Sequence, residues 1–217
     1  MLELHLHALS LADVGLESPA ETRERLKERF PRGATRRMTQ LGLLVGAALD
    51  ELAPRPGDAI VYASAFAESR ALEGYLDSFP GASPTLFQTS IHPSAVQQTL
   101  IGRQHPVGEF FPMTGRAYLV ANAIQAAALC TAPRVLLCGG EERGTWLLEH
   151  RVASDRTFGF ALALGGTRDG ALARFSLTET DAAPESFTLP EFLDVLVARR
   201  SLSRIAAPGT RLNLEWL

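Results

Sequence analysis

The stretch from Pro106 to Glu141 constrains the fold of this chain more than any other. It passes from an extended piece into an alanine-rich segment, a short turn and a second apolar run. Pro112 and the pair Thr114-Gly115 break the extended piece. Ala117 to Leu129 contains no Pro or Gly and is rich in Ala and Leu, so helix propensity is high throughout. The alanines carry little bulk, which suits a helix buried on several sides. Arg134-Val-Leu-Leu-Cys138 is a short apolar run ending at Gly139-Gly140. It reads as a buried strand that stops where the backbone must turn tightly.

The flanking sequence supplies further elements of the same kind. Leu2 to Leu9 alternates Leu with Glu or His, the period of a half-buried strand. A short surface helix is expected over Ala20 to Phe30. Met38, Leu41, Val45, Ala48, Leu49 and Leu52 recur at steps of three and four, which predicts an amphipathic helix over Thr35 to Leu52. Asp58 to Ser64 reads as a buried strand, Glu68 to Phe79 as the helix after it, and Ser94 to Ile101 as another helix. A strand, a helix and a further strand argue for right-handed βαβ units and a parallel sheet. Thr157 to Gly165 and Ala171 to Leu177 flank a Gly/Asp turn and read as a hairpin. A helix is expected over Leu189 to Arg200, and Arg211 to Leu217 reads as a last strand or an extended tail.

Composition narrows the partners. A chain of 217 residues that is 46% hydrophobic and 21% charged can bury a good core. Its net charge of −3 gives no general reason to expect nucleic acid or an anionic membrane as partner. No apolar run approaches the roughly 20 residues that would span a bilayer. Met1 to His7 lacks the basic and continuous apolar regions of a signal peptide, so a cytoplasmic location is expected. The two cysteines, Cys130 and Cys138, lie in apolar segments and read as reduced thiols in the core. His5 and His7 share a strand face without a third ligand, so they read as solvated, and neither metal nor cofactor is expected.

The central stretch resembles the β-ketoacyl synthases, condensing enzymes of the thiolase superfamily. His105-Pro106 stands for the Gly-Pro of that family, and Leu137-Cys138-Gly139-Gly140-Glu141 for its Ala-Gly-Gly end. Counting from either landmark places Thr114 where the family has its nucleophilic cysteine at the start of a buried helix, with Gly115 as the neighbouring possibility. Arg36-Arg37-Met-Thr-Gln-Leu-Gly42 is similar to an opening found in a group of short ketosynthase-like proteins. Ser83-Pro84 and the residues to Gly102 match a third segment, with Pro93 where the family has asparagine. The resemblance covers roughly Thr35 to Leu177. It implies an α/β fold of thiolase-like half architecture: a mixed, mainly parallel sheet with helices on both faces. One domain is expected over residues 1–217, its core at about 35–177 and a C-terminal extension at 178–217.

The same resemblance shapes the functional expectation. A ketosynthase needs a cysteine thiolate at a helix N-terminus, where the dipole lowers its pKa, and two histidines that stabilise an oxyanion. This chain has Thr114 in place of the cysteine, and none of His5, His7, His92, His105 and His150 sits in a matching context. The resemblance therefore implies a non-catalytic partner of the chain-length-factor type, as in type II polyketide or aryl polyene clusters. Such a subunit pairs with a catalytic ketosynthase and meets an acyl carrier protein only indirectly. Leu86 and Phe87 are the residues that the resemblance offers for lining the acyl pocket, with core packing as the alternative. Val107 to Phe111 would form the edge added to a partner's sheet, with Phe110 and Phe111 at the interface or in the core. Two other readings stand beside this one. Ser90 or Ser94 with His92 could serve a small hydrolase or acyltransferase, Ser90 and His92 being same-face neighbours on a strand. Arg36, Arg37 and Arg103 could serve a scaffold that binds a carrier protein without chemistry.

Overall fold

A computed structural model describes all residues from Met1 to Leu217. Its strands are β1 (Leu2–Asp13), β2 (Ala59–Ser64), β3 (Glu109–Thr114), β4 (Arg134–Glu141), β5 (Phe158–Gly165), β6 (Ala173–Glu179), β7 (Leu202–Ala207) and β8 (Thr210–Trp216). Its helices are α1 (Pro19–Leu26), α2 (Gln40–Glu51), α3 (Ser69–Leu76), α4 (Pro84–Ser90), α5 (Ser94–Gly102), α6 (Leu119–Leu129), α7 (Trp146–Glu149) and α8 (Leu189–Val197). The strands form one eight-stranded sheet in the order β3-β2-β4-β5-β1-β6-β8-β7.

The sheet carries two apolar faces, because β2, β4 and β5 are buried on both sides. On one face Ile60, Tyr62, Leu136 and Cys138 pack against α2 and α5. On the other, Val61, Ala63, Val135 and Leu137 pack against α6 and α8. The small side chains Ala121, Ala123 and Ala127 let α6 lie close to the strands, as the alanine-rich segment suggested. No helix is long and apolar enough to cross a membrane.

Helices on both faces of a mixed sheet are as expected, but the pairing is mainly antiparallel. Only β2 with β3 and β2 with β4 run parallel. The remaining five pairings are antiparallel. The expected hairpin of Thr157–Gly165 with Ala171–Leu177 does not form, because β1 enters between β5 and β6 and pairs with both. Residues after Thr178 are integral to the sheet: β8 pairs with β6, and Phe192, Leu193 and Leu212 join the α6-side core.

Several local expectations change for identifiable reasons. Thr39 caps α2 by accepting from Gly42 N at 2.9 Å, so Arg36 and Arg37 fall on a preceding 3-10 turn, not on the helix. The helix is also buried on two flanks, since Leu43, Leu44 and Ala47 pack on Leu26, Phe30 and Met38. Pro112 does not end its strand. It lies on β3 at the sheet edge, where a missing donor is tolerated. Gly139-Gly140 does not end β4 either. A β-carbon on Gly139 would lie 2.0 Å from Ala63 O, and one on Gly140 would lie 2.1 Å from Phe158 O. The glycines serve close packing of three strands, not a turn. His5 is buried, not solvated, and a register shift at His7 breaks the alternation that put the two on one face. No cluster of three or more metal-ligating side chains is present.

Candidate functional site

Three strand ends meet where the parallel part of the sheet opens: Ser64 on β2, Thr114 beside it on β3, and Glu141 on β4. The carboxyl ends of parallel strands are the usual place for a site in an α/β sheet. Thr114 is exposed and closes β3. The next helix, α6, begins only at Leu119, so Thr114 does not stand at the helix start. That place belongs to Tyr118, the N-cap, whose φ of 60° and ψ of 11° are left-handed. A non-glycine residue held there stores about 1–3 kcal/mol of backbone strain, and a strained strand-to-helix turn is how some enzymes present a nucleophile. Here it presents a phenol. Nothing in the sequence around Tyr118 signals this conformation.

No activated thiol lies nearby. Cys138 is fully buried in the middle of β4, and burial pushes its thiol far up. Cys130 caps the C-terminus of α6, where its Sγ donates to Ala126 O at 3.3 Å, and burial raises it too. A helix C-terminus disfavours a thiolate.

Behind the strand ends lies a buried polar network. Glu141 accepts from Ala65 N at 2.5 Å, Ser64 Oγ at 3.2 Å and Phe66 N at 3.3 Å, fixing the turn that leaves β2. Burial pushes its carboxyl up to about 8 against those three donors, with the buried Glu68 raising it further. Glu68 accepts from Ala95 N at 3.2 Å and pairs with His92 Nδ1 at 3.0 Å. Tyr62 stacks on the His92 ring, with centroids 5.2 Å apart. His92 thus has an orienting carboxylate, 24 residues away in sequence, that sequence reading did not find.

The serine expected to work with it is absent from its side. Ser90 ends the helix α4, not a strand, and its Oγ donates to Phe87 O at 2.8 Å. Ser94 Oγ donates to Thr89 O at 2.6 Å. Both hydroxyl donors are committed to backbone, and His92 Nε2 has no hydrogen-bond partner. The Glu68–His92 pair joins the loop before α5 to the start of α3, and neither serine hydroxyl is bonded to His92.

The Glu141 shift sets a pH dependence. The folded state holds a proton up to about pH 8 that the unfolded chain releases near pH 4.5, so stability falls as pH rises through that window. The slope is at most about 1.4 kcal/mol per pH unit. Urea unfolding at pH 5, 6, 7 and 8 should show this decline, and Glu141→Gln should reduce its slope, with Glu142 keeping a share because burial raises its carboxyl too. Equal slopes for both proteins would contradict the assignment.

The four apolar candidates are not gathered into one pocket. Leu86 and Phe87 are exposed on α4, and Phe87 packs on Tyr75, which also meets Phe79, each pair 5.3 Å apart. Neither is a core residue. Phe110 is half-buried against the α2 and α5 side of the sheet. Phe111, paired with Val61, faces the α6 side and is 42% exposed. Leu76, Phe79 and Ile91 add to the uncovered apolar surface of the α3–α4 unit.

No protein-family model and no curated protein matches the chain. Solved structures do. One is a chain of the ketosynthase (ApeO) in complex with its chain length factor (ApeC) from Xenorhabdus doucetiae, at 18% identity and a TM-score of 0.72. The match covers 99% of this chain and 100% of that one. Another is the ishigamide ketosynthase/chain length factor, at 13% identity and a TM-score of 0.54, over 81% of this chain and 67% of that one. The chain therefore has the thiolase-like ketosynthase fold.

Proposed function

We propose that this chain is a non-catalytic, ketosynthase-like subunit of the chain-length-factor type. It pairs with a catalytic β-ketoacyl synthase in the cytoplasm and shapes that partner's acyl pocket, in biosynthesis of the polyketide, aryl polyene or fatty acid kind. Its contact with an acyl carrier protein is indirect. One observation carries the reading. The fold of the ketosynthase/chain-length-factor structures is present from end to end, yet the strand-to-helix turn offers Tyr118, with Thr114 before it, and no thiol. The unpaired β3 edge and the exposed Phe87 and Phe111 supply what a partner sheet and an apolar interface need.

Pocket shaping is tested by product analysis of the reconstituted pair. Leu86→Ala or Phe110→Ala should change the acyl chain length while leaving the chain itself without condensing activity. Unchanged products from both variants in an intact complex would overturn this role.

A further inference from the structure

The paired arginines of the sequence motif lie away from the β3 edge, in a cleft whose lining includes Leu86 but neither Phe87 nor Phe111. Arg36 and Arg37 line a cleft of about 260 Å³ between the 3-10 turn Ala34–Arg37, the start of α2 and the α3–α4 unit. Arg23 and Arg70 line it too, and Glu142 is the one carboxylate among the lining residues. This positive excess stands on a chain whose net charge is −3, so general composition does not explain it.

The cleft is built, not incidental. Arg23 donates from Nε to Thr35 O at 3.2 Å and from Nη2 to Met38 O at 3.4 Å, bracing the turn that carries the pair. Arg70 is held by Glu73 at 3.2 Å. Glu142 is committed to the start of α2, where its Oε2 accepts from Leu41 N at 3.0 Å. The side chains of Arg36 and Arg37, by contrast, form no ion pair and no hydrogen bond, and both residues are exposed, while the Arg36 backbone N–H donates to Gly33 O at 3.4 Å. Two guanidinium groups without partners on a braced turn line a cleft that Arg70 also lines, a donor set of the chemistry that recognises phosphoryl oxygens.

We infer that this cleft binds a phosphoryl anion, held by Arg36 and Arg37 with Arg70. Its volume leaves room for a diphosphate or for a substituent on a single phosphate. The inference is independent of the pairing reading, because binding is measured on the purified chain.

Inorganic phosphate and pyrophosphate are titrated calorimetrically at constant ionic strength held with sodium chloride. Saturable binding is expected, tighter for pyrophosphate, which carries more charge and more acceptor oxygens than phosphate. Arg36→Gln and Arg37→Gln should each weaken it by about tenfold, and the double change by on the order of 100-fold. Arg168→Gln, on an exposed loop, should leave it unchanged. The exposed positions 36 and 37 make misfolding no explanation, and an unchanged urea midpoint checks this. No saturable binding of either anion, or full binding by the double variant, would overturn the inference.

Discussion

Gly139→Ala should yield no stably folded protein. Gly139 pairs with Ala63 of β2 on one side and with Phe160 of β5 on the other, so neither neighbour can withdraw without breaking the ladder beyond it. The added β-carbon would sit 2.0 Å from Ala63 O, 3.0 Å from Ala63 C and 3.1 Å from Phe160 Cε1. Backbone cannot yield as a flexible side chain would, so β2 and β4 must part where the candidate site begins. A loss above about 4 kcal/mol is expected, a large share of the roughly 5–15 kcal/mol of a typical domain. Gly166→Ala is the control, because nothing lies within 4 Å of its β-carbon position. Soluble yield and urea unfolding should separate the two variants. A Gly139→Ala protein with the urea midpoint of the control would contradict the close packing assigned to this strand.

Phe111→Lys should abolish pairing with a ketosynthase while leaving the chain folded. Phe111 lies on the edge strand β3 and is 42% exposed, so the isolated chain loses about 1 kcal/mol or less by the change. In a complex the same side chain would be buried beside the new strand pairing. Truncating a buried aromatic anchor typically costs 2–4 kcal/mol, and a lysine on a sheet edge opposes strand addition directly. Dissociation constants should therefore rise by more than about 100-fold, as read by titrating the two subunits. Unchanged affinity would remove β3 from the interface.

What was legible in the sequence follows from how local each signal is. The double-sided burial of β2 and β4 follows from continuous apolar runs, and the α6 helix from an unbroken run of helix formers. The insertion of β1 between β5 and β6 could not be read from Gly165–Gly170, because a turn signal says where a chain reverses, not what enters the gap. The Ser83-Pro84 pair is a helix-start signal for α4, since Ser83 Oγ accepts from Leu86 N at 3.3 Å, and it outweighs the alternation that suggests a strand at Ser90 and His92. With Ser90 at the end of a helix, it no longer shares a strand face with His92. The strand β7 was missed because Leu202–Ala207 is short and weakly alternating, although Pro208-Gly209 marks its hairpin. In the candidate site, the sequence shows Thr114 and Tyr118, and no cysteine, between β3 and α6. The left-handed Tyr118 and the Glu68–His92 pair were not, because both exist only once distant elements are packed.

Co-expression with a candidate ketosynthase, followed by size-exclusion chromatography with mass detection, tests the proposed function most directly. A stable one-to-one complex that Phe111→Lys dissolves is expected. A well-folded lone monomer or homodimer that binds no ketosynthase would contradict it.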